Sequence, residues 1–136
     1  SAIDFLDEKS ILYALKSCVP SIIVNCAAFT AVDAAEEQYD TAKKVNSDAV
    51  RVLAEWSSAN MAKVIHISTD FVFDGAKKLP YSPLDKPNPL NVYGRTKLDG
   101  EKYILNFLPQ TGMVVRTSWL YSEYGTNFLK SISFHN

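Results

Sequence analysis

Glycine is scarce and comes late: five residues in 136, the first at position 75. No G-x-x-G turn therefore stands ahead of the first apolar run, and the pyrophosphate cradle built by such a turn is missing. The two cysteines, Cys18 and Cys26, are too few and too loosely spaced for a disulfide framework or a zinc knuckle. Cys26 lies in an apolar run, where a free thiol is expected to act as a small buried residue. No cluster of His, Cys or carboxylates shows ligand spacing, so no metal site is assigned. Long apolar runs are lacking too: "SIIVNCAAF", residues 21–29, falls far short of the roughly 18 residues a membrane span requires. Neither sign of charge prevails, with 14 basic against 15 acidic residues, which removes the electrostatic case for nucleic acid or an anionic membrane. With 47% hydrophobic residues and no visible signal peptide, the composition is that of one soluble globular unit in a reducing cytoplasm. The opening "SAIDFLDE" has no methionine and joins a pattern already under way, as expected of a piece of a larger protein.

Helical spacing of Ile11, Leu12 and Leu15 after Asp7, a good N-cap, predicts a helix over 8–17 that Pro20 stops. The continuous run 21–28 predicts a strand covered on both faces. A long helix follows to about Ser58, with Ala42, Val45, Ala49, Val52, Leu53 and Trp56 as its apolar stripe and Asp33 with Glu36 as a capping box. "KVIHIS", 63–68, predicts a second buried strand, with His66 as a hydrogen-bonded core residue. Asp74-Gly75 marks a turn, and four prolines up to Pro89 make the next segment a loop. A helix over 92–108 turns Leu98, Leu105 and Leu108 inward, "GMVVRTS" (112–118) is a third strand, and a helix begins near 128–132. Strands alternating with helices imply a parallel α/β sheet, whose ligands sit beyond the carboxyl ends of its strands.

Residues 89–97, "PLNVYGRTK", place a phenol, Tyr93, four positions before an amine, Lys97, which puts both on one face of a helix. Thr69, just past the second strand, could converge on the same crevice. A hydroxyl, a phenol and an ammonium suit carbonyl reduction, because hydride arriving at a carbonyl leaves an alkoxide that must be protonated. Tyrosine, with a pKa of about 10 in water, would donate that proton if Lys97 lowered its pKa, while Thr69 oriented the carbonyl oxygen. Spacing alone also admits a tyrosine snorkelling beside a solvated lysine. Local turn capping is the competing reading for Asp70, backbone bonding for Asn46 and ordinary packing for Trp119. Lys43-Lys44 and Lys77-Lys78 read as solvated faces.

Four blocks in register, "VNCAAFTAVDAAE" (24–36), "ISTDFVFDG" (67–75), "PNPLNVYGRTK" (87–97) and "VRTSWLY" (115–121), resemble the extended short-chain dehydrogenase/reductase family. Within it they look most like the dTDP-4-dehydrorhamnose reductases. The resemblance implies a three-layer, Rossmann-like, doubly wound parallel sheet in the α/β class. Residues 1–136 would be an incomplete NAD(P)-binding domain, the later half, without the glycine-rich first βα unit and most of the substrate domain. It implies reduction of the 4-keto group of dTDP-4-dehydro-6-deoxy-L-mannose to dTDP-L-rhamnose by NADPH or NADH, for surface polysaccharide. Thr69, Tyr93 and Lys97 fall on the catalytic trio, with Lys97 also holding the nicotinamide ribose. Ala28, Phe29 and Thr30 fall along the dinucleotide, and Asp4 and Phe5 near its adenine. Thr69, Asp70 and Trp119 fall where the nucleotide sugar is contacted, and Asn46 near the active site as a supporting residue. The same resemblance leaves room for a homodimer of the full-length protein. It also covers two other functions, a sugar-nucleotide epimerase or dehydratase and a non-catalytic subunit of the methionine adenosyltransferase regulatory type.

Overall fold

The computed structural model describes residues 3–124. Helix α1, Glu8–Cys18, starts as predicted: the Asp7 carboxylate accepts from Lys9 N at 2.9 Å, and Glu8 and Lys16 complement the two ends of the helix dipole. It ends at Val19, in the left-handed region at φ 43°, directly before Pro20. Strands β1 (Ile22–Asn25), β2 (Lys63–Thr69) and β3 (Gly112–Thr117) form a parallel sheet in that order. Asn25 stands opposite His66, and His66 opposite Val114.

Side chains alternate across the sheet. Ile23, Val64, His66 and Val114 share one face; Ile23, Val64 and Val114 pack into the helical layer there, and Val64 and His66 are wholly buried. The opposite face is open: Ile22 is 56% exposed, Val24 58% and Met113 57%. The two-sided cover expected of residues 21–28 is thus met on one side among the described residues. Strand β1 is also shorter than predicted, because Asn25 Oδ1 takes the backbone N–H of Ala27 and turns the chain out of the ladder. Cys26, expected to be buried, is exposed at that turn.

The predicted long helix is four pieces: α2 (Val32–Glu37), α3 (Tyr39–Lys43), a π-turn (Lys44–Asp48) and α4 (Ala49–Ala59). No capping box forms. The residue before α2 is Ala31, with no side-chain cap bond, and Glu36 instead accepts from Val92 N at 2.7 Å, satisfying an orphan donor of the later helix. That helix, α5 (Val92–Phe107), is capped by Asn91, which accepts from Gly94 N at 2.7 Å. Its buried side carries Thr96, Lys97, Gly100, Glu101 and Ile104, while Leu105, predicted inward, is 53% exposed. An apolar-only reading misses this because polar side chains hold most of the inward stripe.

Two apolar clusters fasten the helical layer. Ile11, Leu15, Val52, Leu53 and Trp56 join α1 to α4; Val50, Ala54, Val64, Ile104 and Leu108 join α4, β2 and α5. Each fully buried chain of this size stabilises by roughly 1.5–3 kcal/mol. The proline-rich loop after Val72 is tied down: Phe73 stacks on Tyr81 at 4.2 Å, and Asp74 accepts from Tyr81 Oη and Asn88 Nδ2. Lys77 and Lys43 stay partly exposed, paired with Asp85 and Asp48. Among the described residues no helix is long and apolar enough to cross a membrane. The helix predicted near 128–132 lies outside the described residues.

Candidate active site

A cavity of about 420 Å³ opens at the carboxyl ends of the strands, lined by Cys26, Ala28, Thr30, Thr69, Asp70, Phe71, Tyr93, Lys97, Thr117 and Trp119 among others. Thr69, Tyr93 and Lys97 therefore meet, although 24 and 28 positions separate Thr69 from the other two along the chain. Thr69 ends β2 and caps the following 3-10 turn, its Oγ1 accepting from Phe71 N at 3.2 Å and donating to Asp70 Oδ1 at 3.2 Å. Asp70 is thus exposed in the cavity wall while also taking part in the local turn. The Tyr93 ring packs edge-on against Phe71 at 5.7 Å. Gly94, one residue on, lies so close to Phe71 that an added Cβ would stand 2.2 Å from its carbonyl oxygen. Only glycine allows α5 to begin this near the end of β2.

Lys97 is 2% exposed, and its Nζ donates to the Ile67 carbonyl at 2.7 Å. Burial pushes its pKa down to about 8, against the raising charges of Glu101 and Cys26. Tyr93 differs from expectation. Its phenol is pushed above the ordinary range by burial, with a hydrogen bond with Thr69 opposing the rise and the Asp70 charge adding to it. One of the ammonium's protons is given to the Ile67 carbonyl, while Lys97 and Tyr93 line the same cavity.

Asn46 is wholly buried on the π-turn. Its Oδ1 accepts from Phe29 N at 2.8 Å, and its Nδ2 donates to Phe29 O and Thr96 Oγ1, each at 3.1 Å. The backbone-bonding reading therefore holds, and through it Asn46 joins the loop after β1 to the helix of Tyr93 and Lys97. Phe29 packs among Ala35, Ala42 and Val92 and does not line the cavity, whereas Ala28 and Thr30 do. Asp4 and Phe5 lie apart from the cavity: Asp4 accepts from Leu6 N at 2.8 Å, and Phe5 packs on the α1/α4 cluster. Trp119 follows β3 at φ 50°, in the left-handed region that bulky residues rarely enter, and is among the residues lining the cavity.

Sequence reasoning missed three partners behind the cavity. Glu101, four residues past Lys97 and 1% exposed, accepts from Ser68 Oγ at 2.5 Å and Arg116 Nη2 at 2.6 Å. The Tyr93, Lys97, Glu101 spacing was the available signal. His66 accepts from Asn25 Nδ2 at Nδ1, 3.1 Å away, leaving its Nε2 without a partner; burial foremost, then the charge of Lys97, lowers its pKa to about 3. Among the described residues no group of three or more His, Cys, Asp or Glu is placed to hold a metal ion.

Residues 1–134 match the family described as the RmlD substrate binding domain. The chain belongs to this family. A dTDP-4-dehydrorhamnose reductase of Sinorhizobium fredii is 44% identical over 129 residues, 95% of this chain and 43% of that protein. The crystal structure of a dTDP-4-dehydrorhamnose reductase from Clostridium acetobutylicum matches with a TM-score of 0.91 at 39% identity, over 97% of this chain and 46% of its own. The enzyme of the same name from Bacillus anthracis, solved in complex with NADP, matches with a TM-score of 0.91 at 36% identity, over 97% and 47%. The chain thus spans a little under half the length of these relatives.

Proposed function

We propose that the protein carrying this chain reduces the 4-keto group of dTDP-4-dehydrorhamnose with NADPH or NADH. The observation that carries the reading is the meeting of Thr69, Tyr93 and Lys97 in one cavity at the strand ends. Thr69 Oγ1 orients the carbonyl oxygen, and Tyr93 gives that oxygen its proton as the carbonyl carbon is reduced. The upward shift of Tyr93 suits a donor: the phenol stays protonated at neutral pH, yet remains far more acidic than the alcohol that its proton makes of the alkoxide. Lys97, deep behind it, supplies a fixed positive charge toward the developing oxyanion. Asp70 and Trp119 form the wall against which the sugar packs.

The residues present fit the nicotinamide end of a dinucleotide. Ala28 and Thr30 are small cavity-lining residues, and one bond to Ile67 leaves the Lys97 ammonium two further protons for ribose hydroxyls. A bound dinucleotide supplies the hydride. The described residues contain no glycine turn for its pyrophosphate, so residues 1–136 are read as the later part of the binding domain, and tight binding needs the rest of a protein of the relatives' length. The balanced charge and the absence of a membrane-crossing helix among the described residues support a cytoplasmic setting without nucleic-acid partners.

The test is dinucleotide consumption with dTDP-4-dehydro-6-deoxy-L-mannose in a protein carrying this sequence at the relatives' full length. Turnover is expected to fall at least a hundredfold in Tyr93→Phe. Unchanged turnover in that variant would refute the assignment. Dinucleotide binding without any ketosugar reduction in the unaltered protein would favour the non-catalytic subunit instead.

A further inference from the structure

The buried carboxylate of Glu101 sits where four parts of the site can be held at once. It lies on the helical face of Tyr93 and Lys97, one turn past Lys97. Its Oε1 accepts from Ser68 Oγ, and Ser68 stands between Ile67, whose carbonyl holds Lys97, and the cavity-lining Thr69. Both its oxygens take the Arg116 guanidinium, through Nε at 3.0 and 3.2 Å and Nη2 at 2.6 Å. Arg116 precedes cavity-lining Thr117 and lies 4.9 Å over the Phe73 ring, which is stacked on Tyr81 of the proline-rich loop. A single anion thus ties α5, β2 and β3 together and reaches the loop through Arg116.

Replacing a buried ion pair by apolar side chains is often neutral or stabilising, so stability alone does not account for an anion at this point. Charge does. Two buried or half-buried cations, Lys97 and Arg116, flank one carboxylate, and Arg116 takes its direct bonds. Lys97 keeps the benefit of the negative charge without being neutralised by contact.

We propose that Glu101 is a positioning residue for the reduction, holding Ser68, and with it Thr69, against α5 and setting its negative charge one helical turn from Lys97. This rests on the reading of the cavity as a reductase site. The physical link to Lys97 is the Glu101 charge, which opposes the downward pull of burial. The link to Thr69 is one residue of extended backbone.

The deciding experiment is competitive acetylation of Lys97 followed by mass spectrometry across pH, beside the pH profile of kcat/KM, in the protein carrying this sequence at full length. In Glu101→Gln, the Lys97 midpoint is expected to fall by about one pH unit, a tenfold loss of protonated lysine above it, and the alkaline limb of kcat/KM should move with it. Ser68→Ala should leave both midpoints in place while kcat drops about tenfold and KM for the nucleotide sugar stays within about twofold, the pattern of lost orientation. If Glu101→Gln does not fold because Arg116 is left unpaired, the double variant Glu101→Gln, Arg116→Met removes both charges, and a smaller fall of the Lys97 midpoint in the same direction is expected, because the repulsion from Arg116 goes with the attraction of Glu101. An unmoved Lys97 midpoint in a folded Glu101 variant, or an unchanged kcat in Ser68→Ala, overturns the proposal. The labelling needs no turnover, so it gives its answer even if the protein proves not to reduce the ketosugar.

Discussion

Gly100→Ala sets helix propensity against packing. Alanine is better than glycine inside a helix by about 1 kcal/mol, so an exposed position would gain. At position 100 the new Cβ would stand 2.3 Å from the backbone carbonyl oxygen of Asn46, more than 1 Å inside an ordinary contact. The obstacle cannot rotate away, because it is main chain of the π-turn, in a residue whose side chain is bonded to Phe29 and Thr96. α5 must move outward instead. Overpacking of this kind costs about 1–3 kcal/mol, and each strained or broken Asn46 bond adds about 1 kcal/mol. Against the propensity gain, the net expectation is a destabilisation of about 2 kcal/mol, measured as a lower urea midpoint at unchanged slope. Gly75→Ala is the control: it meets nothing within 4 Å and carries only the strain of φ 73°, roughly 1 kcal/mol. A Gly100→Ala midpoint equal to or above that of the unaltered protein would show that α5 and the π-turn are not in the close contact described.

Acid should destabilise the fold through His66. Its folded pKa of about 3 lies below the ordinary 6.5, so the unfolded chain binds the extra proton between those values. The stability present above pH 6.5 should therefore be lost as pH falls toward 3, at up to about 1.4 kcal/mol per pH unit. In His66→Leu that part of the slope should vanish from urea titrations, and an unaltered slope would place the titrating group elsewhere. If Lys97 must be protonated for turnover, kcat/KM should decline on an alkaline limb with its midpoint at about pH 8, where half of the ammonium has lost its proton; a profile flat to pH 10 would exclude that role. The open sheet face predicts dye binding by this 136-residue chain, with anilinonaphthalene sulfonate fluorescence reduced in Val24→Thr with Met113→Thr, both sites being more than half exposed. Equal fluorescence in the variant would mean that the dye binds another surface.

The parallel α/β architecture, the three strands, the cap at Asp7 and the Tyr93–Lys97 pair were legible from sequence, because period, turn residues and i, i+4 spacing are local properties. The division of the expected long helix was not, since the π-turn at Lys44–Asp48 comes with the buried bonds of Asn46 to Phe29 and Thr96, residues 17 and 50 positions away. The exposure of Leu105 was equally out of reach, for inward orientation on α5 follows the Lys97 and Glu101 stripe, which pattern-reading counts as a solvent face. Residue types and spacing by themselves put Tyr93 and Lys97 on one helix face, and the four blocks in register pointed to Thr69 as their companion. Tertiary structure alone decided that Lys97 turns to Ile67, that burial raises the Tyr93 phenol, and that Glu101 gathers Ser68 and Arg116. Each of those outcomes depends on desolvation and on partners brought together by sheet register, and neither is encoded within a single turn of chain.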